Sequence, residues 1–255
     1  MRIGCCTSIM NIKIAEKIGF DYIEPSVSKI AAMDEQSFKS SCNMVDESSI
    51  KCESFNILFP KGMRLVGQDV YKEEVETYLE SAFTRIKRFG ARIVVFGSGG
   101  ARKCPEGWDY EKAIQQLVEI ARITGKIAEM FDIDIVIEPL NKQESNIINS
   151  VFEGINFVKK VNHPRIKLVA DFYHMRKENE NMGVITNAAP FLHHIHIANS
   201  NGRSFPLDSF EDIYKEFFEK LKNICYEGRI SIEAKTDDFE NEGIKALKLL
   251  RSLAV

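Results

Sequence analysis

Three of the five histidines in this chain lie in one short apolar segment, LHHIHIANS, at residues 192–200. They are His193, His194 and His196. A histidine side chain can bind a metal ion, transfer a proton near neutral pH, or make hydrogen bonds inside a core. The other strand-like segments of the chain have to indicate which of these roles applies.

Four strand-like segments each carry a residue that can bind a metal ion near their C-terminal end. The segments are DIVIEP, KLVADF, HHIHIA and RISIEA, at residues 134–139, 167–172, 193–198 and 229–234. Alternate residues of a strand point to opposite faces, and in each segment aliphatic residues occupy one face. The opposite face ends in Glu138, Asp171, His196 and Glu233. Their common phase predicts that these four side chains meet at one end of a sheet or barrel.

The same alternation separates the three histidines. His193 shares the outward face with Ile195 and Ile197, which predicts a structural residue under a helix. His194 shares the inward face with His196 but lies one layer deeper, where it can orient its neighbours. Only His196 is expected to bind a metal ion.

Two glutamates, an aspartate and an imidazole suit one divalent cation that accepts both oxygen and nitrogen ligands. Mn²⁺ fits best, with Mg²⁺, Co²⁺ or Zn²⁺ as alternatives. The lack of thiolates argues against a structural zinc site. Taken singly, a strand-end carboxylate is more often a loop anchor, and a strand histidine a hydrogen-bonded core residue. Four together in one phase favour a metal site, because unpaired buried charges would repel each other.

Such a site suits proton transfer beside a carbonyl group, as in the interconversion of ketose epimers or of an aldose and a ketose. The cation would stabilise an enediolate as a Lewis acid, and a carboxylate would remove the proton as general base. Glu138 and Glu233 are the expected catalytic pair. Epimerisation needs both, one on each face of the substrate, whereas isomerisation needs only one. The residues do not separate the two reactions.

Eight short apolar runs alternate with amphipathic helical patterns along the chain. Eight strand–helix units in 255 residues predict an α/β protein with one (β/α)8 TIM barrel domain over residues 1–255. A doubly wound sheet is the main rival, but no GxGxxG opens its first turn. The runs lie at residues 2–6, 21–25, 51–56, 92–97, 134–139, 167–172, 193–198 and 229–234.

The composition is that of an ordinary globular protein, with 44% hydrophobic and 28% charged residues. A formal net charge of −3 offers no basic excess for a nucleic acid partner. No apolar run is long enough for a signal peptide or a membrane span, so we expect a cytoplasmic protein without a membrane partner. The six cysteines form no CxxC pair and are expected to be small buried apolar residues.

Several segments also resemble the sugar isomerase/epimerase group of xylose-isomerase-like TIM barrels, in particular ketose 3-epimerases and hydroxypyruvate isomerases. The resemblance spans most of the chain and is specific for the superfamily rather than for one substrate. The segments that carry it are VVFGSGGARKCPEGWD (94–109), IEPLNKQESN (137–146), ADFYHM (170–175), HIHIANSNGR (194–203) and SIEAK (231–235).

The resemblance implies a divalent-metal-dependent isomerase with a small sugar or keto-acid substrate. It assigns Glu138, Asp171, His196 and Glu233 as metal ligands. It also implies that Glu144, His174 and Arg203 bind the substrate. Arg203 lies one residue further from the histidine than in the epimerases. Relatives of this type suggest a homodimer or homotetramer.

Three other functions fit the same barrel. One is a lyase that dehydrates a keto-inositol at the same metal site. Another is endonuclease IV-like DNA repair, which would need further histidines where this chain has Asn56, Gly97 and Ser98. The third is a non-catalytic sugar-binding barrel. The loops at residues 26–50, 57–70 and 97–108 are expected to shape the pocket, with Phe59 and Trp108 as candidates to line it.

Overall fold

Eight parallel strands form the centre of the protein, and a computed structural model describes all of its residues, Met1–Val255. The prediction of a (β/α)8 barrel is confirmed. The strands are β1 (Arg2–Cys6), β2 (Tyr22–Glu24), β3 (Ser54–Phe55), β4 (Ile93–Phe96), β5 (Asp134–Ile137), β6 (Ile166–Asp171), β7 (Leu192–Ile197) and β8 (Arg229–Ile232).

The sheet curves into a nearly closed barrel. Its hydrogen-bonded order is β2-β1-β8-β7-β6-β5-β4-β3, so β2 and β3 are its two edges. Isolated bridges join these edges at Tyr22–Lys51 and Ser26–Asn56. The amide of Ile23 also donates to the carbonyl oxygen of Lys51 at 3.1 Å. The C-terminal ends of all eight strands therefore face the same end of the barrel.

Helices surround the strands, and a short 3₁₀ helix spans Ile9–Asn11. The segment 26–50, predicted as a loop, holds two helices. The helices are α1 (Ile12–Ile18), α2 (Val27–Ala31), α3 (Glu35–Asp46), α4 (Lys72–Lys87), α5 (Gly99–Arg102), α6 (Tyr110–Met130), α7 (Val151–Val161), α8 (Phe172–Lys177), α9 (Val184–Ala188), α10 (Tyr214–Asn223) and α11 (Phe239–Ala254).

Short polar side chains and glycines define where helices begin and end. Asp109 accepts a hydrogen bond from the amide of Lys112 at 2.8 Å and so caps α6. At the other end of a helix, Gly19 ends α1 with a φ of 99°, a conformation that costs a side-chain-bearing residue free energy. Gly19 thus marks the turn between α1 and β2.

The apolar core has two parts that follow the predicted strand phase. Ile135, Ile137 and Ile195 belong to the large cluster between strands and helices. Val136 and Val169 belong to a small cluster inside the barrel. The inward face of β5 to β8 is therefore the face that carries the predicted metal ligands.

No helix combines the length and the apolar composition that crossing a membrane requires. All six cysteines are free, and four of them are buried. Cys225 is exposed and Cys6 is partly exposed, so the prediction that all six are buried was wrong for these two.

Candidate active site

Four side chains converge at the C-terminal end of the barrel and form what we call the strand-end cluster. It consists of Glu138, Asp171, His196 and Glu233, whose ligand atoms all lie within 4.8 Å of one another. Glu138 and Glu233 directly follow β5 and β8, while β6 ends with Asp171. The register pairs Asp171 with His196 on adjacent strands. The residues chosen from strand phase therefore meet in space.

The strand-end cluster has the donor set of a divalent cation site. The Nδ1 atom of His196 lies 3.0 Å from Oε1 of Glu138 and 3.6 Å from Oε2 of Glu233. Asp171 uses Oδ1 to accept from the amide of Tyr173 at 2.7 Å, whereas its buried Oδ2 has no hydrogen-bond partner. An unpartnered buried carboxylate oxygen beside an imidazole and two further carboxylates fits a metal ligand.

Charges within the cluster shift its pKa values in opposite directions. Burial and then the charge of Glu233 raise the pKa of Glu138. Burial also opposes ionisation of Glu233, but His196 and Arg203 lower its pKa to about 2. Burial opposes the imidazolium form of His196, yet the attraction of Glu24 and then of Glu233 raises its pKa well above the usual value. The protonated imidazole of His196 and the guanidinium of Arg203 thus neutralise part of the negative charge of the cluster. The sequence suggested that only a bound cation could balance this charge.

Arg203 and Glu144 lie at the rim of this cluster. The Arg203 guanidinium contacts Oε2 of Glu233, and its Nη1 donates to Oε1 of Glu144 at 3.2 Å. The guanidinium also lies 4.7 Å from the ring centroid of Tyr173. Neither Arg203 nor Glu144 is an isolated solvated loop charge.

His174 is buried beside Asp171 with one ring nitrogen free to donate. Its Nδ1 accepts hydrogen bonds from the backbone amide of Asn141 at 3.2 Å and from the Asn141 side chain at 2.9 Å. Nε2 therefore carries the proton, and it has no hydrogen-bond partner although Asp171 Oδ2 lies 3.5 Å away. A buried donor of this kind can bind a substrate oxygen.

A cavity of about 450 Å³ opens above the cluster and is lined by Glu138, Glu144, Arg203 and Glu233. The loop after β3 contributes Ile57, Phe59 and Lys61 to its wall, and the loop after β4 contributes residues 98–101. Phe59 lines this cavity as expected. Trp108 and the segment 26–50 do not contribute to it.

Three non-glycine residues around this cavity have a left-handed backbone. Ile57, Ser98 and Arg203 have φ angles of 49°, 37° and 55°. Such conformations cost on the order of 1–3 kcal/mol each and persist where surrounding contacts fix them. The hydroxyl of Ser98, for example, accepts from the amide of Phe59 at 3.0 Å. The cavity wall is therefore held in a strained conformation.

A family model described as Xylose isomerase-like TIM barrel matches residues 12–253. The chain belongs to this family. The resemblance seen in the sequence motifs is thereby confirmed.

Curated proteins with similar sequences include ketose epimerases. The chain is 33% identical over 126 residues to D-psicose 3-epimerase of Ruminiclostridium cellulolyticum, which covers 49% of this chain and 41% of that protein. It is 28% identical over 199 residues to D-psicose 3-epimerase of Agrobacterium fabrum, which covers 75% of this chain and 68% of that protein. The match thus spans less than half the length of the first relative.

Solved structures of other proteins share the whole fold. A crystal structure of D-psicose 3-epimerase in the presence of D-fructose superposes with a TM-score of 0.89 at 20% sequence identity. The superposition covers 100% of this chain and 99% of that one. At this identity the likeness establishes the barrel architecture.

Glu24, at the end of β2, is the main residue of this site that the sequence motifs did not single out. It is fully buried. Its Oε1 accepts from Nε2 of His196 at 2.8 Å, and its Oε2 accepts from Nε2 of His194 at 2.9 Å and from the hydroxyl of Ser231 at 2.5 Å. Burial opposes its ionisation, but the two histidines lower its pKa well below the usual value. A sequence signal existed, since the tripeptide Ile-Glu-Pro occurs both at 23–25 and around Glu138.

Arg102 is a second residue that the motifs did not reveal. It is buried, and burial lowers its pKa to about 10. Its guanidinium donates to the carbonyl oxygens of Phe96 at 3.3 Å and Glu138 at 2.5 Å. Arg102 therefore ties together the C-terminal ends of β4 and β5, where Glu138 leaves the barrel.

The remaining two histidines of the opening motif take different positions. His194 lies below His196 and is fully buried, in agreement with its predicted depth. The side chain of His193 is 37% exposed, and its Nδ1 lies 3.1 Å from Oδ2 of Asp134. Asp134 thus gives His193 a polar partner at the N-terminal end of the barrel, and its position under a helix stays a prediction.

Proposed function

We propose that this protein is a divalent-metal-dependent isomerase that epimerises a small ketose at the carbon beside its carbonyl group. The observation that carries the proposal is the strand-end cluster, in which two glutamates share a cation-binding donor set at the base of a cavity. The names of the relatives, D-psicose 3-epimerases, support C3 as the reacting carbon. Aldose–ketose isomerisation and dehydration of a keto-inositol are the competing outcomes of the test.

The strand-end cluster would hold the cation through its three carboxylates and Nδ1 of His196. When bound, a divalent cation would act as a Lewis acid that stabilises the negative charge of an enediolate. We propose Mn²⁺ as the physiological ion, because the oxygen-rich donor set with one imidazole suits it.

Glu138 and Glu233 would carry the proton. They leave the barrel from β5 and β8, two strands separated in the sheet by β6 and β7, and both line the cavity. A ketose bound between them would present opposite faces of one carbon to the two carboxylates. One carboxylate would remove the proton as general base, and the other would return a proton to the opposite face.

His174, Glu144 and Arg203 would orient the substrate. Nε2 of His174 is a free buried donor suited to a carbonyl or hydroxyl oxygen. Glu144 and Arg203 line the cavity, where they can accept from and donate to sugar hydroxyls. Their mutual ion pair would fix both side chains before the substrate enters.

We further propose a cytoplasmic protein of carbohydrate metabolism that forms a homodimer or homotetramer. A small sugar suits the cavity better than a nucleic acid does, because the net charge of −3 provides no basic surface excess.

Incubation of the Mn²⁺-loaded protein with a panel of ketoses in D₂O tests the proposal. We expect deuterium at C3 together with the C3 epimer, both detected by NMR. Exchange at C1 with aldose formation would indicate an isomerase, and loss of water from an inositol-derived ketone would indicate a lyase. The proposal fails if no carbon-bound proton of any ketose exchanges.

Two matched variants test whether Glu233 takes part in the reaction. Glu233→Gln should abolish epimerisation, because a neutral amide cannot act as a base and inversion needs a carboxylate on each face of the carbon. Glu53→Gln changes a glutamate that pairs with Arg2 and Arg229 at the opposite end of the barrel, and epimerisation should persist. Wild-type turnover in Glu233→Gln would remove this residue from the mechanism.

A further inference from the structure

The interior of the barrel is polar on one side, below the strand-end cluster. On that side Glu24 accepts hydrogen bonds from His194, His196 and Ser231, and the Ser231 hydroxyl also lies 2.8 Å from that of Tyr22. All five side chains are fully buried. Burying polar side chains costs free energy unless each of them forms hydrogen bonds. This network therefore indicates a role beyond filling the barrel interior.

We propose that Glu24 is a positioning residue that keeps a proton on Nε2 of His196, so that a cation binding to the strand-end cluster displaces the proton of Nδ1 and meets the lone pair of that nitrogen. An ionised carboxylate only accepts hydrogen bonds, so the nitrogen that faces it must carry the proton. The imidazole nitrogen available to a metal ion is then Nδ1, which lies 3.0 Å from Glu138. This inference rests on the metal site of the proposed function.

The second histidine supports the same assignment. Nε2 of His194 also faces Glu24, and its buried Nδ1 has no hydrogen-bond partner. An unprotonated Nδ1 tolerates this position better than an N–H group would, because a buried donor without an acceptor loses its full hydration. Glu24 therefore sets the same tautomer in both rings.

A competing arrangement uses the opposite nitrogen of His196. Cys6, Glu24 and His196 also have ligand atoms close enough together to share a cation. That site would require an unprotonated Nε2 in His196. Glu24 already accepts three hydrogen bonds, two of them from imidazoles, and this favours the protonated Nε2.

The tautomers can be measured directly by long-range ¹H–¹⁵N NMR on Zn²⁺-loaded protein with ¹⁵N-labelled histidine. The chain has only five histidines, and His194→Gln and His196→Gln variants assign the two signals. We expect Nε2 to be protonated in both rings and the metal-induced shift of His196 to fall on Nδ1. A metal-induced shift on Nε2 of His196 would overturn the proposal in favour of the cluster with Cys6.

Substitution of Glu24 tests the consequence for metal binding. A glutamine at this position has one accepting and one donating end, so only one of the two imidazoles can keep its Nε2–H donor. We expect Glu24→Gln to weaken Zn²⁺ binding about 10- to 100-fold in competition with a chromophoric chelator. Glu24→Asp keeps the charge and should recover part of this loss.

Glu180→Gln is the matched control. This glutamate accepts from the amides of Val151 and Phe152 at the start of α7 and does not contact His196. Its Zn²⁺ affinity should stay within about two-fold of the wild type. A Glu24→Gln affinity equally close to the wild type would contradict the proposal.

An unfolded variant and a wrong proposed reaction can each be distinguished from a failure of the Glu24 proposal. If Glu24→Gln does not fold, the wild-type tautomer still decides, because it needs no substitution at this position. If no ketose exchanges protons but Zn²⁺ binds through Nδ1 of His196, the proposed reaction is wrong and the role of Glu24 stands.

Discussion

Gly97 gives the carboxylate of Glu138 the space that it occupies. A Cβ atom at position 97 would lie 2.0 Å from Oε2 of Glu138, a distance that real contacts do not show. Gly97 ends the sequence run of β4, next to the strand that delivers Glu138. The position of a proposed catalytic oxygen thus depends on the absence of a neighbouring side chain.

Gly97→Ala should therefore impair turnover by displacing Glu138. A shift of about 1 Å in a reacting group can cost on the order of 100-fold in rate, so we expect kcat to fall by about that factor. Initial rates of ketose epimerisation measure the effect. Gly62→Ala, in the loop after β3, is the control, because Gly62 does not line the cavity and its added Cβ meets no atom of another residue within 4 Å. Equal rates in the two variants would refute the steric argument.

Arg203→Ala should raise KM about ten-fold if the guanidinium contacts the substrate. Loss of a hydrogen bond to a charged group costs about 1.5 kcal/mol, which corresponds to roughly that factor. Arg203→Lys keeps the charge but not the paired donors that reach Glu144 and Glu233. We expect an intermediate KM in this variant. Steady-state kinetics with an unchanged KM in Arg203→Ala would limit Arg203 to ion pairing within the protein.

The strands differ in how much of the site their sequences could reveal. β6 and β7 have six residues each, enough for alternation to show which face Asp171 and His196 occupy. β2 has only three residues, Tyr22–Glu24, and all are buried, so no polar–apolar alternation marks Glu24. Polar–apolar alternation can be recognised only in a strand of several residues, and the strands on the β2–β3 side of the barrel are too short to show it.

The loops could be predicted least. Ile57 is β-branched, and nothing in its type indicates a left-handed backbone, which such residues disfavour. A tertiary contact holds its backbone, because the Ser28 amide donates to the Ile57 carbonyl oxygen at 3.2 Å, next to the bridge between Ser26 and Asn56. Which side chains line the cavity follows from tertiary contacts of this kind and not from local pattern.

The loop after β7 is tied to α8 through Asp212. The Asp212 carboxylate, 1% exposed, accepts from Nε of Arg176 at 2.6 Å and from the amide of Ser200 at 3.2 Å. Burial opposes its ionisation, but the hydrogen bonds from Ser200, Ile213 and Arg176 lower its pKa below the usual 3.8. The same loop carries Arg203 to the cavity.

Asp212→Asn should lower the free energy of unfolding at pH 7 by about 1–3 kcal/mol. Because the folded-state pKa is depressed, the stabilisation is present above the unfolded pKa near 3.8 and is lost as the pH falls through the lower folded value. Urea unfolding at pH 7, 5 and 3.5 should show a difference that shrinks only at the lowest pH. Asp208→Asn, at an exposed position of the same loop, should show a smaller difference at every pH.

The two ends of the barrel have different compositions across the whole molecule. At the N-terminal end, the Glu53 carboxylate pairs with two cationic side chains, Arg2 and Arg229. At the C-terminal end, three carboxylates share one imidazole and one guanidinium. Barrel enzymes keep their stabilising contacts and their chemistry at these respective ends. A bound cation would complete the charge balance only at the second end.

Removal of metal should therefore lower the stability of the whole barrel. A ligand present at 100 times its Kd stabilises the folded state by about 2.7 kcal/mol, which for a chain of this size raises Tm by about 5–10 °C. Thermal unfolding of protein treated with EDTA, with and without added MnCl₂, measures the shift. His196→Gln should abolish it. His163→Gln should retain it, since His163 lies near Glu129 on α6, away from the strand-end cluster. A Tm independent of Mn²⁺ in the wild type would exclude a Mn²⁺ site coupled to the folded barrel, because an ion that binds only the folded state must raise its stability.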